Sequence, residues 1–148
     1  MHLVLENLHH SFARGRADAP PVLAIDRLEV DPGQFLAVTG PSGSGKSTFL
    51  YALSGLMVPR AGSVRWGDTD IAALGEGARD SWRRVNAGFV FQDFHLIPEM
   101  TPIENVTVAA YFSGWSARPV RDRAAELLDR FDVPNATRPV ETLSRGEQ

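Results

Sequence analysis

A chain of 148 residues with 43% hydrophobic and 22% charged content is long enough for one domain with a sizeable core, and ordinary for a soluble globular protein. Its net charge of −3 argues against a broad electrostatic nucleic-acid surface, though a local basic patch stays open. There are no cysteines, which removes disulfides and thiolate metal sites and is compatible with a reducing cytoplasm.

Residues 1–12 carry no continuous apolar run behind a basic start, so no secretory signal is expected. Residues 2–8 and 22–30 read as strands, separated by residues 13–21 of loop composition. Two early strands returning on each other suggest an antiparallel flank on a parallel core. Asp31-Pro32-Gly33 is a turn. It leads into Phe35-Leu-Ala-Val-Thr39, a short apolar run of strand type.

That run feeds Gly40-Pro41-Ser42-Gly43-Ser44-Gly45-Lys46-Ser47-Thr48, which fits the pattern G-x-x-x-x-G-K-[ST]. A terminal phosphate needs many donors in a small volume, and a glycine-rich loop turns its backbone N–H groups inward without side chains in the way. Lys46 adds a point charge for the β and γ phosphates of a nucleotide, and the Ser47 hydroxyl can hold Mg²⁺. Phe49, Leu50, Leu53, Leu56 and Met57 recur at helical spacing, so a helix N-terminus points at the phosphates. The apolar-rich stretch from Phe49 to Val58 is about half of what a bilayer requires, so any spanning of a membrane would fall to a partner.

Further on, residues 60–62 read as a turn, 63–66 as a short strand and 79–85 as a short helix. Ala87-Gly-Phe-Val-Phe91 reads as a second core strand that delivers Gln92 at its C-terminal end, where ligands bind in open α/β sheets. Thr101-Pro-Ile-Glu104 is a capping box with proline at the first helical position. A second helix starts near Pro119, with Val120, Ala124, Leu127, Leu128 and Phe131 on one face, and ends before Pro134. Ser144 and Glu147 repeat the capping-box pattern, so another helix is expected to open there.

The phosphate loop, Gln92 after an apolar strand, and Leu143-Ser-Arg-Gly-Glu147 stand in the order that resembles the nucleotide-binding domain of an ABC transporter. Gly88-Phe-Val-Phe-Gln-Asp-Phe-His-Leu-Ile-Pro98 and Met100-Thr-Pro-Ile-Glu-Asn-Val106 resemble the subgroup that powers lipoprotein release and macrolide export. The resemblance implies an α/β P-loop NTPase fold of ABC type, with a parallel core sheet, an antiparallel flank and a helical subdomain. The expected division is a β and phosphate-loop core over about 1–92, a helical subdomain over about 93–142, and the signature at 143–148.

The same resemblance implies the site. Phe12 falls where the family places an aromatic that stacks on adenine, a core aromatic being the other reading. Gln92 corresponds to the glutamine that touches Mg²⁺ and the attacking water. Ser144 and Gly146 correspond to signature residues that meet the γ-phosphate of ATP on an opposite subunit, while Arg145 and Glu147 depart from the usual residues. Expected partners are a transmembrane permease subunit and a second nucleotide-binding subunit in a head-to-tail dimer, with no nucleic acid. The expected place is the cytoplasmic face of the plasma membrane, held there through the permease.

A full domain of this family carries a further strand ending in an aspartate and a catalytic glutamate, then a switch histidine, and the 148 residues contain none of these. The expectation is therefore a chain that binds MgATP, hydrolyses it negligibly and tends to aggregate. Two other readings are a nucleotide-dependent regulatory module without turnover and a DNA-repair type ATPase. The latter is disfavoured because no sustained heptads and no cysteine lie between the loop and the signature.

Overall fold

Leu3, Leu5 and Leu8 are the buried residues of the first strand, β1 (Leu3–His10), and their spacing breaks the two-residue alternation of a flat strand. Strict alternation would turn Asn7 inward. Instead Asn7 adopts φ 49, and the register against β3 (Ala61–Trp66) shifts: Glu6 lies opposite Ser63 but His9 lies opposite Ala61. Asn7 and Leu8 thus face Gly62 alone, which is a β-bulge. The bulge restores Leu8 to the core side.

The computed structural model describes residues 1–12, 20–93, 95–113, 117–133 and 138–144. They belong to two units, Met1–Gly88 and Phe89–Gln148. In the first, β1 pairs antiparallel with β3 and with β2 (Leu23–Val30), and β4 (Thr69–Asp70) extends the sheet in the order β2-β1-β3-β4. The antiparallel flank is as expected; β4 is an addition.

One face of this sheet covers the helix after the phosphate loop, α1 (Lys46–Leu53). Leu3, Leu5, Leu8, Leu23, Val64 and Ile71 form one core with Phe49 and Ala52 of α1. Each fully buried aliphatic side chain contributes about 1.5–3 kcal/mol. Polar ties fix the edges of the layer. The Trp66 indole N–H donates to Leu53 O at 2.8 Å. Asp70 Oδ1 accepts from the N–H groups of Val64 and Ala72 at 3.1 and 3.0 Å. On the exposed side, Glu6 joins Arg27 and Arg65 across three strands, a solvent-screened surface network that adds little to stability.

The helix α2 (Glu76–Asn86) is longer than the 79–85 expected. Arg83 Nη1 donates to Gly55 O at 2.6 Å, tying α2 to the turn that ends α1.

In the second unit, α3 (Pro102–Ser113) opens on the expected capping box: the Thr101 N–H donates to Glu104 Oε2 at 2.8 Å and the Glu104 N–H to Thr101 Oγ1 at 3.4 Å. Hydrogen bonds from the Thr101 hydroxyl and N–H lower the pKa of the Glu104 carboxyl. The helix α4 (Ala117–Arg130) packs against α3, burying Ala124 and half-burying Val120, Leu127 and Leu128 as its pattern predicts. Phe131 departs from that pattern and is 72% exposed, because the helix ends at Arg130 and Asp132 turns the chain with φ 53. A 3-10 turn (Val140–Thr142) is held to the loop before α3, its Val140 N–H donating to Met100 O at 2.9 Å.

Two expected core strands do not form. Residues 35–39 and 87–91 join no ladder, and Phe35 and Val90 are each 95% exposed. A central strand of a parallel sheet exists only with hydrogen-bonding neighbours, and neither run has a ladder partner among the described residues. The parallel core sheet is accordingly absent among the described residues.

Candidate phosphate-binding site

The loop between Gly40 and α1 is shaped by its own lysine. Lys46 Nζ donates to Gly40 O at 3.0 Å and to Pro41 O at 2.7 Å, closing the loop around the ammonium. The Ser44 N–H reaches back to Pro41 O at 3.3 Å. Gly40 to Thr48 form this one loop and the start of α1, with Ser42, Gly43 and Ser47 exposed on its surface.

Gly45 is the N-cap of α1 with φ 87, and a Cβ there would lie 2.6 Å from Val22 O. Only glycine allows both the left-handed turn and that approach. The first helical bond runs from the Phe49 N–H to Gly45 O at 2.8 Å, so the N–H groups of Lys46, Ser47 and Thr48 point forward without helical acceptors. Forward-facing N–H groups, the positive end of the helix dipole and an ammonium converge on one place, an arrangement that favours an anion. Beside it lies a cleft of about 330 Å³, bordered by residues 22–25, Thr39, Ser44, Lys46 and Phe49.

Two residues before Phe12, the His10 backbone meets the segment that borders this loop. The Val22 N–H donates to His10 O at 2.8 Å, and Val22 O is the group that crowds Gly45. Phe12 is 66% exposed and meets the His10 ring edge-on, with centroids 4.8 Å apart and planes at 78°. It is no core aromatic.

His10 carried no signal in the sequence beyond its place two residues before Phe12. Both its ring nitrogens are buried without a hydrogen-bond partner. Burial, and secondarily the charge of Arg60, push its imidazole below the ordinary histidine value of 6.5. The unfolded chain therefore takes up this proton before the folded one does, so His10 subtracts stability as pH falls below about 6.5. Urea unfolding of wild type and His10→Phe at pH 7.5 and pH 5.5 should show the variant losing less stability on acidification; parallel losses would contradict this assignment.

In the second unit, Gln92 is exposed in a bend rather than at the end of a strand, since residues 87–91 form none. Ser144 is exposed just after the 3-10 turn. Gly146, with Arg145, Glu147 and the second capping box, lies outside the described residues. No group of three or more His, Cys, Asp or Glu side chains among the described residues could hold a metal ion.

A family model described as ABC transporter matches residues 23–148. The chain is 41% identical over 148 residues to the lipoprotein-releasing system ATP-binding protein LolD of Cereibacter sphaeroides, covering 99% of this chain and 66% of that protein. It is 38% identical over 146 residues to the macrolide export ATP-binding/permease protein MacB of Marinobacter nauticus, covering 97% of this chain and 22% of that one. The chain thus spans a little under two thirds of the LolD relatives it matches. Among solved structures, it superposes on the dimeric structure of MJ0796, a bacterial ABC transporter cassette, with TM-score 0.82 and 32% identity, covering 98% of this chain and 64% of that one. A dimeric post-hydrolysis state of the same cassette, bound to ADP and Pi, gives TM-score 0.81 at 32% identity, covering 96% and 63%. The α/β P-loop fold class is that of these ATPase cassettes.

Proposed function

The chain belongs to the ABC transporter family, and from that premise we propose that it is the nucleotide-binding part of a transporter ATPase, taking MgATP at residues 40–48 and passing the change to a separate membrane permease. The observation that carries this reading is the loop closed around the Lys46 ammonium at the mouth of α1. In it, the loop N–H groups and Lys46 hold the β and γ phosphates by position and charge. The exposed Ser47 hydroxyl would hold Mg²⁺, which supplies charge neutralisation on the transferred phosphoryl group.

Around this site two copies of the chain would pair head to tail, each offering Ser144 and Gly146 to the nucleotide of the other. MJ0796 was solved as a dimer, which supports the pairing. The permease would hold the chain at the cytoplasmic face of the membrane and choose the cargo. Among the described residues, no helix is long and apolar enough to cross a membrane.

The 148 residues would bind MgATP far better than they hydrolyse it. Water needs a carboxylate beside the γ-phosphate, and among the described residues Asp70 caps two backbone N–H groups, Glu104 closes the capping box, and Asp68 and Glu99 are exposed in turns. This supports a nucleotide-dependent module with little turnover of its own.

Lys46→Ala tests the site directly. Removing a charge-assisted donor should weaken MgATP binding by roughly 10- to 100-fold, read by calorimetric titration against the unaltered chain. Equal affinities would remove Lys46 from the site and the proposal with it.

A further inference from the structure

We infer that His10 is a positioning residue, holding Phe12 upright as the platform on which a nucleotide base stacks; the inference rests on the nucleotide-binding reading above. Four observations carry it. The two rings meet edge-to-face at 4.8 Å and 78°, the geometry aromatic pairs prefer. Phe12 nevertheless stays 66% exposed, so a large part of its ring is left for a ligand. The Val22 N–H donates to His10 O at 2.8 Å, and Val22 O lies so near Gly45 that a Cβ there would come within 2.6 Å of it, so the His10 backbone is tied to a segment that borders the phosphate loop. Finally, both imidazole nitrogens are buried without partners, so the ring serves as packing surface and not as a hydrogen-bonding group.

A flexible exposed phenylalanine would lose side-chain freedom on stacking. One already braced by His10 has lost that freedom in advance, and so binds the base more tightly. Inorganic tripolyphosphate, which has no base, gains nothing from the brace. This difference separates positioning of the base from support of the loop.

The test uses the full chain with Mg²⁺ and two probes, ATP and inorganic tripolyphosphate, titrated into wild type, His10→Ala, His10→Phe and Phe12→Ala. ATP binding should weaken about three- to tenfold in His10→Ala and about tenfold or more in Phe12→Ala. Tripolyphosphate binding should be unchanged in both. His10→Phe, which keeps an aromatic edge against Phe12, should bind ATP like wild type. The inference is overturned by a His10→Ala chain that binds ATP as wild type does, by ATP and tripolyphosphate weakening together, or by a Phe12→Ala chain with undiminished ATP affinity. A wild-type chain that binds neither probe sinks the nucleotide reading itself, whereas tripolyphosphate binding with unaltered ATP affinity in the variants sinks only the role of His10 and Phe12.

Discussion

Gly62→Ala is expected to cost the sheet unit about 3–5 kcal/mol. The residue faces the bulge with φ 90, and a Cβ there would sit 2.3 Å from Asn7 O, 2.5 Å from Asn7 C and 2.6 Å from Glu6 O. These are backbone atoms, so no side chain can swing aside. Relief would require β1 and β3 to part at the point where Leu8 re-enters the core. A loss of this size is a large fraction of ordinary domain stability. Gly67→Ala is the control, since Gly67 has φ 58 but open space within 4 Å of its virtual Cβ. It should cost only the conformational strain, about 1–2 kcal/mol. Urea midpoints of both variants decide the matter: similar losses would mean that strain at positive φ, and not the close approach across the bulge, governs Gly62.

The bulge marks the boundary of what the sequence discloses. Local geometry was legible: the tight glycine turn into α1 was read from four fixed positions, and the Thr101–Glu104 box from a four-residue pattern whose two reciprocal hydrogen bonds both form. The strand at residues 2–8 was legible too, but the phase slip at Asn7 was not, because the leucine pattern permits either a bulge or an alternation with one polar error. Residues 35–39 and 87–91 failed for a different reason. Their apolar runs report suitability for a buried strand, whereas a strand also requires a neighbour, which no local pattern encodes. The same distinction holds at the site. Lys46 and its loop could be placed from spacing alone, yet Val22 O against Gly45, and His10 behind Phe12, are contacts between segments that only the folded chain brings together.

Gly45→Ala should couple the fold and the site most directly. Gly45 and Gly43 have nearly the same backbone, φ 87 and φ 79, so strain alone would make alanine equally costly at both. Their surroundings differ: nothing lies within 4 Å of a Cβ at Gly43, while at Gly45 it would meet Val22 O at 2.6 Å and Val22 Cγ1 at 3.1 Å. Gly43→Ala is therefore expected to lose about 1–2 kcal/mol and keep the loop in place. Gly45→Ala must also push the start of α1 away from Val22, for a total of about 2–4 kcal/mol. That displacement moves the forward-facing N–H groups of Lys46, Ser47 and Thr48 together, so MgATP and tripolyphosphate should both weaken by tenfold or more, about what one charge-assisted contact is worth. Because both probes respond, this pattern differs from the one expected of His10→Ala. Titration of both glycine variants with both probes, beside their urea midpoints, reads all of it. A Gly45→Ala chain that binds as tightly as Gly43→Ala would show that the packing of α1 on Val22 does not hold the phosphate site in shape.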